Sequence, residues 1–183
     1  LLAHELGDTE KLSSLLFAFI AFSAIASAMY VVNDLVDLQA DRTHPTKRRR
    51  PLASGDVSVL QALILTAGLG ILGLLLAFVA LPLPFALMLT LYLVTSGCYS
   101  LWLKRLAIID VLVLAGLYTL RILAGGTAVA VDVSEWLLAF SMFLFTSLAF
   151  AKRYVELNTL DESEGDTLAM RRRGYRQTKR KEL

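Results

Sequence analysis

The sequence predicts an all-α integral membrane bundle of about five transmembrane helices, and three observations predict it. The 183 residues are 56% hydrophobic with a mean hydropathy of +0.62. Soluble domains are roughly half apolar and about a quarter charged, so this chain is too apolar for that class. The charge is also segregated, leaving apolar stretches at 12–32, 59–81, 85–103, 107–129 and 136–151. The first four approach or exceed the roughly 17–25 residues of a spanning helix, and the fifth is short. Finally, Lys and Arg alternate between connections. Residues 33–58 carry Arg42, Lys47, Arg48, Arg49 and Arg50; 81–84 carry none; 103–106 carry Lys104 and Arg105; 130–135 carry none; the tail carries Lys152, Arg153 and a cluster over 171–181. Only Lys11 and Arg121 fall elsewhere, and the positive-inside rule then puts the basic connections in the cytoplasm.

Taken in order, the first stretch follows Glu5, Asp8 and Glu10, an acidic lead unlike the basic start of a signal peptide, and the beginning reads as truncated. Past it, Pro45 and Pro51 break any continuing helix, and Ser54-Gly55 supplies turn chemistry before a second helix begins near Ser58. Pro82 and Pro84 close that helix and prepare the third. Gly68, Gly70 and Gly73 in the second span, and Ala115-Gly116 with Gly125-Gly126 in the fourth, are expected to let backbones approach, a packing role more than a chemical one. A single domain over 1–183 is expected. Cys98, alone in an apolar stretch, excludes an internal disulfide or zinc cluster and reads as a small core residue.

The most informative segment is Asn33-Asp34-Leu35-Val36-Asp37-Leu38-Gln39-Ala40-Asp41, which runs into Arg42-Thr43-His44-Pro45-Thr46-Lys47-Arg48-Arg49-Arg50. Asp34, Asp37 and Asp41 stand at i, i+3 and i+7, so a helix continuing from the first span sets all three on one face. Like charges stacked this way repel, and a divalent cation relieves the repulsion. Mg²⁺ suits such a site, being held by one or two carboxylates, waters and substrate phosphate oxygens. The basic run behind the acids is a natural phosphate clamp, in which Lys47, Arg48 and Arg50 with Mg²⁺ neutralise a departing pyrophosphate. The competing reading is a solvated mixed-charge loop that obeys the topology rule. His44 is either a base or phosphate donor or, beside Pro45, a turn residue.

A second cluster, Lys152, Arg153, Tyr154 and Glu156, closes the fifth span. Lys152 and Glu156 at i, i+4 pair with each other in the plain reading. The ends of the first and fifth spans echo one another, Tyr30-Val31-Val32-Asn33-Asp34 against Tyr154-Val155-Glu156-Leu157-Asn158. If those spans face each other across a cavity, the second cluster closes the site opposite the acids. Asp110, Leu114, Tyr118 and Arg121 share a face at spacings of 4, 4 and 3, and charges inside a span must face protein or water. Asp110 and Arg121 are therefore taken for substrate contact or structural pairing, and Lys104 and Arg105 for topology determinants. The net charge of +2 conceals a basic face suited to anionic lipid or phosphorylated substrates; with no recognition motif beside the basic residues, nucleic acid is not an expected partner.

NDLVDLQAD resembles the NDxxDxxxD signature of the UbiA superfamily of intramembrane prenyltransferases, and RRRPLASG resembles the basic segment that follows it there. YSLWLKRL, GLYTLRILAGG and AKRYVEL extend the likeness to about residue 160. The resemblance implies a helical bundle around a central cavity, Mg²⁺ held by aspartate-rich motifs on a diphosphate, and an isoprenoid chain in a groove open to lipid. Carried over by position, Asn33, Asp34, Asp37 and Asp41 form the first metal and diphosphate motif. It further implies a helix before Leu1 and others after the tail. The chain departs from the prenyltransferase pattern at the second aspartate-rich motif, where it has Lys152, Arg153, Tyr154 and Glu156, a change that suggests a ligand with an additional phosphate. HPTKRRRP and KRYVEL are most similar to the polyprenyl-phosphate (decaprenyl-phosphate) phosphoribosyltransferase branch.

The expectation is thus a Mg²⁺-dependent membrane transferase that expels pyrophosphate, with Asp34, Asp37, Asp41 and Lys47 catalytic and Asn33, Arg42, Arg48, Arg50, Asp110, Arg121, Lys152, Arg153, Tyr154 and Glu156 binding substrate. The partners are a polyprenyl lipid and either phosphoribosyl pyrophosphate or, in prenyl transfer from a polyprenyl diphosphate, an aromatic or lipid acceptor. The setting is a bacterial-type inner or plasma membrane with the site facing the cytoplasm, and a homo-oligomer is left open. The rival class is a transporter, whose charges would be spread along a path across several spans; here they gather at one face.

Overall fold

The computed structural model describes residues 9–161, and among them every regular element is helical. Helix α1 (Thr9–Thr43) crosses the apolar stretch and continues unbroken through the acidic motif. His44-Pro45 ends it, since the residue before proline is disfavoured in the helical region. A 3₁₀ turn over Lys47–Arg49 leads to the four-residue helix α2 (Pro51–Ser54), which begins on proline and ends at Gly55. Gly55 has φ +92°, a left-handed cap that a Cβ would strain.

Helix α3 (Val59–Ala80) starts in a capping box, with the Ser58 hydroxyl accepting from the Gln61 N–H and the Gln61 side chain accepting from the Ser58 N–H. Helix α4 (Leu83–Leu101) follows from Pro82, and a 3₁₀ turn at Leu103–Arg105 leads to α5 (Ala107–Ala128). Helix α6 (Glu135–Asp161) has 27 residues, longer than its apolar stretch suggests, because Lys152 and Arg153 end the greasy run without ending the helix. Five helices are long and apolar enough to cross a membrane.

In packing, α1 lies along α3 and α4, α5 lies between α4 and α6, and α1 also touches α5. The buried side chains are mainly small: Ala18, Ala21, Ala77, Ala86 and Ala124 surround Ile25, Phe85 and Leu89. Small residues let backbones close in where lipid offers no hydrophobic drive. At Gly73 two helices meet closely, since a Cβ there would lie 2.7 Å from Ile25 Cγ1 and 2.8 Å from the Ala21 carbonyl oxygen, whereas at Gly126 a Cβ would meet Val131 and Val133 in the following connection. At Gly68, Gly70, Gly116 and Gly125 a Cβ meets no described atom within 4 Å, so the expectation of close helix approach at these glycines is corrected. Large apolar side chains such as Phe19, Ile71, Val79 and Phe143 point outward, as a bilayer-facing surface requires.

Candidate active site

The end of the bundle bearing the acidic motif encloses a cavity of about 400 Å³ walled by α1, α4, α5, α6 and the 42–58 connection. From Ala26 to Asp37 the α1 wall runs eleven residues, about 16 Å at helical rise. The lining is polar at the mouth, with Asn33, Asp37, Lys47, Arg50, Lys104, Lys152 and Arg153. Deeper, it turns aromatic and apolar through Tyr30, Tyr92, Met29, Leu114, Leu117 and Tyr118, and Arg121 contributes a further cation. Among the described residues, six cationic side chains thus face the cavity with a single carboxylate, Asp37. A surface of that composition attracts multiply charged anions.

Continuation of α1 places the three motif acids on one face, where each is met by a cation from another segment. Arg50 Nη1 donates to Asp34 Oδ1 at 2.9 Å and to Asp41 Oδ2 at 2.7 Å. Pro51, at the start of α2, turns the chain so that Arg50 folds back across the helix. Lys104 Nζ donates to Asp37 Oδ1 at 2.7 Å and to Asn33 Oδ1 at 3.1 Å. The anticipated gathering of Asp34, Asp37 and Asp41 around one cation is therefore corrected. Among the described residues no group of three His, Cys, Asp or Glu side chains is arranged to hold a metal, and protein cations relieve the repulsion. Asp34 and Asp41 do not line the cavity; they steady Arg50, which does. The donor set is nonetheless all hard oxygen, which suits Mg²⁺ coordinated by one or two carboxylates together with water and phosphate oxygens.

Lys104, set aside on sequence as a topology determinant, is the residue that sequence reasoning missed. Its signal was its place: the turn after α4 returns it to the level of the acidic motif. Arg42 and Arg48 are exposed and do not line the cavity, because each sits on the outer side of its turn while Arg50 turns inward. His44 serves the turn: its Nδ1 accepts the N–H groups of Thr46 and Lys47 at 3.2 and 3.3 Å.

On α6, Lys152 and Arg153 reach the same cavity as Asn33 and Asp37, whereas Tyr154 is 67% exposed and does not line it. The echo between Tyr30 and Tyr154 consequently does not hold in space. The side chain of Glu156 lies outside the described residues. Asp110 is fully buried behind the lining, accepts from Tyr99 Oη at 2.7 Å and pairs with Arg153 Nη2; its assignment as a substrate contact is corrected to structural pairing. Arg121 Nη2 donates to Tyr92 Oη at 2.9 Å, and its guanidinium lies 5.6, 5.5 and 5.3 Å from the ring centres of Phe22, Tyr92 and Tyr118. Each such contact contributes about 0.5–2 kcal/mol, against an insertion cost of about 2.5–3.5 kcal/mol for a charge at mid-span. Tyr118 in turn stacks on Phe145 of α6.

Comparison with known proteins agrees with this architecture. A decaprenyl-phosphate phosphoribosyltransferase of Mycobacterium tuberculosis is 38% identical over 154 residues, 84% of this chain and 51% of the relative. The nodulation protein NoeC of Azorhizobium caulinodans is 41% identical over 143 residues, 78% of this chain and 46% of that protein. An uncharacterized protein of Sinorhizobium fredii is 42% identical over 164 residues, 87% of this chain and 30% of its own length. The chain spans about half or less of the length of these relatives. The profile of the UbiA prenyltransferase family matches residues 2–174, and the chain belongs to that family of integral membrane transferases.

Proposed function

We propose that the protein transfers a 5-phosphoribosyl group from phosphoribosyl pyrophosphate to a polyprenyl phosphate at the cytoplasmic face of a bacterial-type inner membrane. The observation that carries this reading is the cavity mouth, where Lys47, Arg50 and Lys104 come from the connections beside the acidic motif and Lys152 and Arg153 from α6, with Asp37 the one carboxylate among the described lining residues. A donor with a diphosphate at one end and a phosphate at the other matches two cationic groups better than a polyprenyl diphosphate, which has only one anionic end. The relationship to a decaprenyl-phosphate phosphoribosyltransferase supports the same choice.

In the reaction an oxygen of the lipid phosphate attacks the anomeric carbon of the ribose, the bond from that carbon to pyrophosphate breaks, and pyrophosphate departs with the bonding electrons. Lys47, Arg50 and Lys104 stabilise the charge that develops on it. Asp37 with Asn33 would hold Mg²⁺ at the mouth, and the ion would supply further neutralisation of that leaving group. Lys152 and Arg153 bind the sugar phosphate, and the apolar depth at Met29, Leu114 and Leu117 accommodates the lipid. The Lys and Arg alternation supports a cytoplasmic mouth. That same apolar depth also suits the second reading, prenyl transfer from a polyprenyl diphosphate.

The discriminating experiment is heat stability of the purified protein with Mg²⁺ and either phosphoribosyl pyrophosphate or a polyprenyl diphosphate. Stabilisation by the first is expected. Lys152→Ala should raise KM for it roughly ten- to hundredfold, the size of one charge-assisted contact of about 1.5–3 kcal/mol. Stabilisation by the polyprenyl diphosphate alone would establish prenyl transfer instead.

A further inference from the structure

We infer that Asp110 is a positioning residue that aims Arg153 at the donor; the inference rests on the proposed reading that Arg153 binds the sugar phosphate. Asp110 itself does not face the cavity, yet both groups it holds do. Arg153 comes from α6, Tyr99 from α4 and Asp110 from the first turn of α5. The carboxylate is fully buried, with one oxygen accepting from the Tyr99 hydroxyl and the other paired with the Arg153 guanidinium. Arg153 is itself 8% exposed.

A guanidinium is a planar fork, and a buried carboxylate paired with one of its nitrogens restricts the directions open to the remaining donors. Arg153 stands on the candidate span with the lowest buried share, 11% of its apolar window, so a partner outside that helix bears on its aim. Asp110 supplies such a partner, and through Tyr99 it ties the aim to the α4 wall of the cavity. The positive charge of Arg153 would survive loss of Asp110, but the constraint from this buried pair would not.

The test measures equilibrium binding of phosphoribosyl pyrophosphate with Mg²⁺, and separately of polyprenyl phosphate, to the intact purified protein and to Asp110→Asn, Arg153→Ala and the double variant. Asparagine keeps an acceptor for Tyr99 and removes the charge that holds the fork. Asp110→Asn should weaken phosphoribosyl pyrophosphate binding about tenfold and leave polyprenyl phosphate binding unchanged. In the double variant the loss should equal that of Arg153→Ala alone. Arg153→Lys, which keeps a charge beside Asp110 and spares the fold, should bind as weakly as Asp110→Asn and gain nothing from Asp110. Additive losses, equal weakening of both ligands, or wild-type binding in Arg153→Lys would overturn the inference. Should Arg153→Ala bind phosphoribosyl pyrophosphate normally, the assignment of Arg153 to the donor fails first, and the inference fails with it.

Discussion

Replacing Lys104 with Ala is the most direct probe of the cavity mouth. Lys104 Nζ lies 2.7 Å from Asp37 Oδ1 and 3.1 Å from Asn33 Oδ1, and its side chain is only 12% exposed, so solvent screening of the pair is weak. A charged hydrogen bond contributes about 1.5–3 kcal/mol. Asp37 remains 25% exposed, so water can partly replace the lost partner and the stability cost falls near the lower end, about 1.5 kcal/mol. In the proposed reaction turnover suffers separately, because the same ammonium would face the departing pyrophosphate. Removing one charge-assisted contact of about 1.5–3 kcal/mol lowers kcat/KM by roughly ten- to hundredfold at 1.36 kcal/mol per decade. Steady-state kinetics with labelled phosphoribosyl pyrophosphate, beside a thermal melt of the same preparation, reads both quantities. Lys104→Arg should recover part of the loss, since it restores the charge with a different donor geometry. A Lys104→Ala protein with wild-type kcat/KM would refute the placement of the pyrophosphate at this mouth, whatever its melting temperature.

Two further outcomes test the fold and its orientation. With Cys98 replaced by Ala, a cysteine at Ser54 should react with impermeant thiol reagents only from the cytoplasmic side and one at Asp132 only from the other; labelling of both from one side would break the five-span topology. Gly73→Ala should destabilise the purified protein by about 1–3 kcal/mol, because the added methyl meets the Ala21 carbonyl and Ile25, whereas Gly68→Ala, in open space, should be neutral or slightly stabilising. Equal melting temperatures for the two variants would remove the close α1 to α3 contact.

What the sequence determined by itself was whatever depends on local order. Stretches of spanning length and the segregation of Lys and Arg specify membrane helices because each span must satisfy its own backbone in lipid. The i, i+3, i+7 spacing of Asp34, Asp37 and Asp41 specifies one acidic face because helical geometry is periodic. Family membership was legible for the same reason, since NDLVDLQAD and RRRPLASG are contiguous. The tertiary structure decided which charges meet. Lys104 lies 67 residues beyond Asp37, and Asp110 finds Tyr99 and Arg153 on two other helices. No periodicity within one segment encodes those pairings. They follow from the packing of α4, α5 and α6, which buries some charges and opens others to the cavity. That packing set Arg50 apart from Arg48 and Arg153 apart from Tyr154, neighbours alike in sequence that differ only in the direction the folded backbone gives them.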